Sequence, residues 1–160
     1  MNVLTQAYVV SSPSKRALET ARMATQEAVL DIVQDTDLCE IDFGRWEGMS
    51  FNEITHNDPD LVDQWALGNL DFSFPEGESL ATFRNRVRRV GQRLRERPED
   101  TIIVVTHGGV IRFLLCYFLD LDHRLHLMFE ISHGSITRIQ LHDDKAVLLG
   151  LNDRCHLEDI

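Results

Sequence analysis

Residues 101–110 read Thr-Ile-Ile-Val-Val-Thr-His-Gly-Gly-Val, and this stretch decides the fold class. The run from Thr101 to Thr106 is β-branched with apolar side chains on both faces. That is the pattern of a central strand in a parallel sheet covered by helices. It ends at His107. Gly108 and Gly109 then let the backbone approach a ligand closely before a helix begins. Val110, Ile111, Leu114, Leu115 and Phe118 carry that helix. Ligands of open α/β sheets gather beyond the carboxyl ends of the strands, so His107 falls where chemistry is expected. A histidine there can donate to a phosphoryl oxygen or exchange a proton near neutral pH. The same residues also suit a tight turn with a hydrogen-bonded histidine.

Working outward, Leu80, Phe83, Val87, Val90 and Leu94 recur at steps of three and four. They predict a helix that starts after Ser79 and stops before Pro98. Ala7–Val10 reads as a buried strand. Ser12 as a cap and Pro13 at the first position predict a helix over 13–29. Asp31–Gln34 is a possible second strand. Residues 41–78 hold short helical pieces near Phe51–Ile54 and Leu61–Trp65 between breakers, which suggests an insertion. Ser135–Leu141 and Ala146–Leu151, around Asp143-Asp144, predict a closing hairpin. The fold class is therefore α/β, with a mostly parallel sheet covered by helices.

A chain of 160 residues is sized for one domain. Its hydrophobic content of 43% and charged content of 26% are ordinary for a globular protein. No stretch approaches the ~18 apolar residues of a membrane helix, and the first residues lack the pattern of a secretory signal. The formal net charge of -10 argues against nucleic acid and anionic membranes as partners. Cys39, Cys116 and Cys155 are widely spaced and odd in number, as expected of free thiols in a cytoplasmic protein.

Four positions stand out as candidates. Arg16 lies in the first turn of a helix, where a guanidinium and free N–H groups can grip a phosphate. His107 and Gly108 occupy the strand end described above. Glu40 follows the second predicted strand, and a carboxyl beside an anion site can protonate a leaving oxygen; taken alone, Glu40 also reads as a solvated loop acid and Arg16 as an ordinary surface arginine. Asp42 and Glu47 compete with it for that role. The arginines from Arg84 to Arg97 are read as the solvated face of their helix. His123, His126 and His133 lack the partners of a metal set.

Together these segments resemble the histidine phosphatase superfamily, also called phosphoglycerate-mutase-like. The matching stretches are VVSSPSKRALETA (9–21), LCEIDFGRWEGMSFNEI (38–54), FPEGESLATFRNRV (74–87), VVTHGGVIRFLL (104–115) and LNDRCHL (151–157). The segment from Glu40 to Gly48, with the short stretch from there to PEGES (75–79), is most similar to α-ribazole phosphatases of cobalamin assembly and related small phosphatases. Phosphoglycerate mutases carry a longer insertion there.

The resemblance implies hydrolysis of a phosphomonoester through a phosphohistidine, without metal or cofactor. By matching position Arg16 would clamp the phosphate and Glu40 would be the general acid. His107 would be the second pocket histidine, and Gly108 would offer its N–H to the phosphate. The implied partner is a small phosphorylated metabolite, either α-ribazole 5'-phosphate or a sugar phosphate.

One part of the family pattern is missing. The family's first strand ends in Arg-His-Gly, whose histidine is the nucleophile, and no such tripeptide occurs in these 160 residues. The expectation is a single histidine-phosphatase-like domain over 1–160, N-terminally truncated and lacking the first strand and first helix. That strand lies inside the family's sheet, so an open seam and self-association as a homo-oligomer are further expectations. A non-catalytic descendant that binds a phosphorylated ligand or a protein partner is the alternative.

Overall fold

The computed structural model describes residues 7–25, 30–143 and 145–157. The elements in chain order are β1 (Tyr8–Ser11), α1 (Lys15–Thr25), β2 (Ile32–Gln34), α2 (Phe51–Asn57), α3 (Pro59–Ala66), α4 (Leu80–Arg95), β3 (Ile102–Val105), α5 (Gly108–Phe118), β4 (Ile136–Leu141) and β5 (Ala146–Asp153), with short 3₁₀ turns between some of them. The tail of the helix expected to reach residue 29, and Asp144 of the expected hairpin turn, lie outside the described residues.

β1, β2 and β3 form a parallel sheet in the order β2-β1-β3. The register pairs Val10 with Val33 on one side and with Val104 on the other. Strand alternation then separates two faces. Tyr8, Val10, Ile102 and Val104 join the main core with α4 and α5. On the other face, Ala17 and Ala21 of α1 are buried one turn apart, and small side chains let that helix lie close to β1 and β3.

The main core is built on α4 and α5. Phe83 and Phe113 meet edge to face with ring centroids 5.0 Å apart. Gly91 lies against the ring of Tyr117, so no larger residue fits at that crossing. Ser79 caps α4 by accepting from the Thr82 N–H at 3.1 Å. β4 and β5 form a separate antiparallel hairpin, whose Ile139, Leu141 and Ala146 pack on the same core.

Two expectations are corrected. β3 is not central: among the described strands it pairs with β1 alone, and all four of its residues are half-buried. Its apolar pattern reports helices on both faces and says nothing about how many of its edges are paired. Ser12 does not cap α1 directly. The chain first turns through Pro13 and Ser14, so the Ser14 carbonyl accepts the first helical bond, from Leu18 N–H. The Ser12 hydroxyl accepts from the Ser14 N–H at 3.3 Å within that turn and also faces His107.

The 41–78 region is an insertion carrying α2 and α3. Trp46, Phe72 and Phe74 pack among themselves with centroids 5.1 to 6.1 Å apart. The Trp46 indole N–H donates to Asp58 at 2.8 Å. Two loops meet there through glycine: a Cβ on Gly44 would overlap the Pro75 carbonyl, and one on Gly77 would overlap that of Asp42. Arg45 N–H donates to Pro75 O at 2.8 Å and Glu78 N–H to Asp42 O at 2.9 Å.

Candidate functional site

Parallel pairing brings the carboxyl ends of β1 and β3 side by side, with Ser12 N–H donating to Val105 O at 2.9 Å. Ser12 leads into α1 and His107 into α5, so the N-termini of both helices open at the same place. His107 is only 8% exposed. Its Nε2 lies 2.9 Å from Ser12 Oγ and 3.3 Å from Ser14 Oγ, and its Nδ1 lies 3.0 Å from Arg16 Nη2. A guanidinium can only donate, so Nδ1 must accept and the ring proton must sit on Nε2.

Burial lowers the affinity of His107 for a second proton, and the positive charges of Arg16 and then Arg86 lower it further. Its pKa falls from the ordinary 6.5 to about 4. The imidazole is thus neutral at neutral pH. It holds Arg16 while that exposed side chain reaches over the N-terminus of α1.

Glu40 enters from the loop after β2. Its Oε2 accepts from the Gly109 N–H at 3.1 Å and its Oε1 from the Ile41 N–H at 3.1 Å. The carboxyl group therefore lies at the N-terminus of α5, beside its free amides. Gly109 is required for this approach, because a Cβ there would overlap Glu40 Oε1. Gly108, one residue earlier, has an N–H that donates to no described group. Asp42 and Glu47 are exposed and serve their own loop, accepting from the Gly44 and Phe43 N–H groups.

All four singled-out residues thus converge at one end of the sheet. Arg16 and His107 touch directly, Glu40 joins through Gly109, and Gly108 lies between them in sequence. Together they present one guanidinium, one neutral imidazole, one free amide and one carboxylate. That set can bind a phosphoryl group and exchange a proton with it.

Arg86 is the residue that the sequence reading missed. Its neighbours on α4 do lie near solvent, and Arg89 and Arg93 pair with Asp37 and Asp35 at the surface. Burial opposes ionisation of Asp37, but those two arginines hold its carboxyl below the usual value. Arg86 instead points inward with a side chain only 12% exposed, stacked 4.6 Å above the Phe83 ring. The available signal was its position three residues after Phe83, at the border of the apolar stripe, with Glu78 a short distance upstream.

Comparison with known proteins adds a family context. The model of the histidine phosphatase superfamily (branch 1) matches residues 3–154. A bifunctional protein of Mycobacterium tuberculosis is 43% identical over 126 residues, which cover 76% of this chain and 34% of that protein. The chain therefore spans about a third of that relative's length. Phosphoserine phosphatase 1 of Hydrogenobacter thermophilus is 31% identical over 150 residues, covering 93% of this chain and 71% of that protein. Among solved structures, a putative α-ribazole-5'-P phosphatase of Escherichia coli superposes with a TM-score of 0.82 at 26% identity, over 96% of this chain and 79% of that one.

Proposed function

Because the chain belongs to the histidine phosphatase superfamily, we propose that the Arg16, His107, Gly108 and Glu40 cluster receives a phosphomonoester for hydrolysis. The observation that carries this reading is the convergence of those four groups at the N-terminus of α5. On substrate binding, Arg16 exchanges its imidazole acceptor for two phosphate oxygens, a better match for its planar fork. His107 donates from Nε2, and Gly108 N–H supplies a fixed dipole. Such preorganised donors supply much of the catalysis in phosphoryl transfer.

The phosphoryl group passes to a histidine nitrogen as the ester P–O bond breaks, and Glu40 delivers its proton to the departing alkoxide. Water then attacks the phosphohistidine, Glu40 takes the water proton, and inorganic phosphate leaves. His107 acts here as a donor and not as the attacker, because the Nε2 that faces the Ser12 and Ser14 hydroxyls carries the ring proton. The attacking imidazole is the one the family places in Arg-His-Gly, a tripeptide these 160 residues do not contain. That observation favours a second reading, in which the chain alone binds phosphate without turnover.

α-Ribazole 5'-phosphate is the substrate we put first, supported by the likeness to the Escherichia coli structure. Phosphoserine is second, supported by the Hydrogenobacter relative. The test compares the 160-residue chain with a version carrying an Arg-His-Gly strand joined upstream. The joined chain should release phosphate from at least one of α-ribazole 5'-phosphate, phosphoserine or a sugar phosphate. The chain alone should be stabilised by phosphate or vanadate, since a ligand of the native state raises its melting temperature. A folded joined chain that hydrolyses none of these overturns the phosphatase reading. No melting shift in the chain alone overturns the second reading.

A further inference from the structure

The Arg86 guanidinium has five N–H donors, and every one is used. Nε and Nη2 donate to the two carboxylate oxygens of Glu78, both at 2.8 Å. Nη1 donates to Asp37 O at 2.8 Å and Cys39 O at 2.6 Å, and Nη2 also donates to Glu40 O at 3.0 Å. Three carbonyls of one four-residue loop are therefore gathered onto a single planar group. That group is itself fixed by a bidentate carboxylate that is only 13% exposed. Glu78 is anchored in turn through its own backbone, where its N–H donates to Asp42 O.

We infer that Arg86, held by Glu78, is a positioning residue that sets the Glu40 carboxylate against the N-terminus of α5. This inference rests on the reading of Glu40 as the proton donor, and it adds what places that donor. The loop from Asp37 to Glu40 has no regular structure after its 3₁₀ turn. Its carbonyls would otherwise turn to water, and the side chain at its end would sample many orientations. Arg86 fixes the backbone at Asp37, Cys39 and Glu40, which leaves only the side-chain torsions of Glu40 to be set. The Gly109 and Ile41 N–H groups set those. A second tie supports the same loop, since the Thr106 hydroxyl donates to Leu38 O at 2.7 Å. No lysine can reproduce five coplanar donors, so the role is specific to arginine.

The test reads Glu40 through the amide it touches. In the 160-residue chain, the Gly109 amide proton is followed by NMR during an acid titration. His107, two residues earlier, takes up its own proton at about 4, and Arg16, Arg86 and Glu78 are the other charged groups at this end of the sheet. The Glu40→Gln variant therefore identifies the part of the titration owed to Glu40. Arg86→Lys and Glu78→Gln should each remove at least about half of that part while most other amides keep their positions; such a loss has no counterpart if Arg86 merely supports the fold. If Arg86→Lys fails to fold, Glu78→Gln decides alone.

A Glu40-dependent titration of wild-type size in the folded variants overturns the inference. So does a wild-type Gly109 amide that is indifferent to Glu40→Gln. The readout needs no turnover. A chain in which the variants behave as expected but no ester is ever hydrolysed overturns the phosphatase reading and leaves the positioning role standing. In the joined, active chain the same variants should lower kcat for alkyl phosphates at least about tenfold more than for p-nitrophenyl phosphate, whose leaving group needs no proton.

Discussion

Acid should destabilise this protein through His107, by an amount that follows from its surroundings. Burial, then Arg16, then Arg86 bring its pKa to about 4 against the ordinary 6.5. Above about pH 6.5 the imidazole is neutral in both folded and unfolded chains, and the stability it allows is complete. Between 6.5 and about 4 the unfolded chain takes up a proton that the folded chain refuses, so stability falls as the pH falls. The slope is ~1.4 kcal/mol per pH unit, which over this window gives a ceiling of about 3 kcal/mol. Solvent around the exposed Arg16 screens part of the repulsion, so ~1–3 kcal/mol is expected. The assay is urea denaturation of the wild type and His107→Asn at about pH 7 and about pH 4. Asparagine keeps an acceptor for Arg16 and binds no proton. His126, whose pKa is also lowered by burial, and the arginine-paired carboxylate of Asp37 titrate in both proteins and cancel in the difference. The wild type should lose ~1–3 kcal/mol more than the variant over this interval. Curves that stay parallel within about 0.5 kcal/mol, near the error of the extrapolation, would refute the assigned environment of His107.

Three further outcomes follow from the site and the core. Gly109→Ala should drive Glu40 off the helix end with little net change in urea melts, because the flexible Glu40 side chain can swing away, and its Gly108 and Val110 amides should shift in NMR spectra. Arg16→Met should weaken vanadate binding at least about tenfold, through loss of a charge-assisted pair, and should move the His107 titration midpoint upward, because one of the charges opposing protonation is gone; calorimetry and NMR check the two parts. Phe83→Ala should cost ~3–5 kcal/mol, since this fully buried ring meets Phe113 edge to face, with thermal melts as the readout.

The sequence showed elements better than neighbours. The stripe from Leu80 to Leu94 and the strand ending at His107 were legible because periodicity and strand-end glycines are local signals. The central placement of β3 was misread because side-chain pattern reports which faces are covered, and backbone pairing leaves no mark in side chains. Arg16, Glu40 and His107 were found by motif, and the structure brings them together at one end of the sheet. Their partners were not legible. Ser12 looked like a helix cap, and only the fold reveals that its hydroxyl meets a histidine 95 residues away. Arg86 was hidden among six other arginines on the same helix and just beyond it, because its distinction lies in the loop it faces.

The glycine contacts between the loops at 42–44 and 75–77 bear on how the length of this chain can vary. Each loop supplies both a donor and an acceptor to the other, at the Arg45–Pro75 and Glu78–Asp42 bonds, and neither leaves room for a Cβ at the crossing. Adding or deleting one residue in either loop would put both bonds out of step and carry Glu78 away from Arg86. Between residues 42 and 78 a change of length is therefore best accommodated in the stretch between the loops, where α2 and α3 lie. Lengthening or shortening that stretch should leave the Glu78–Arg86 pair, and with it the loop that bears Glu40, in place.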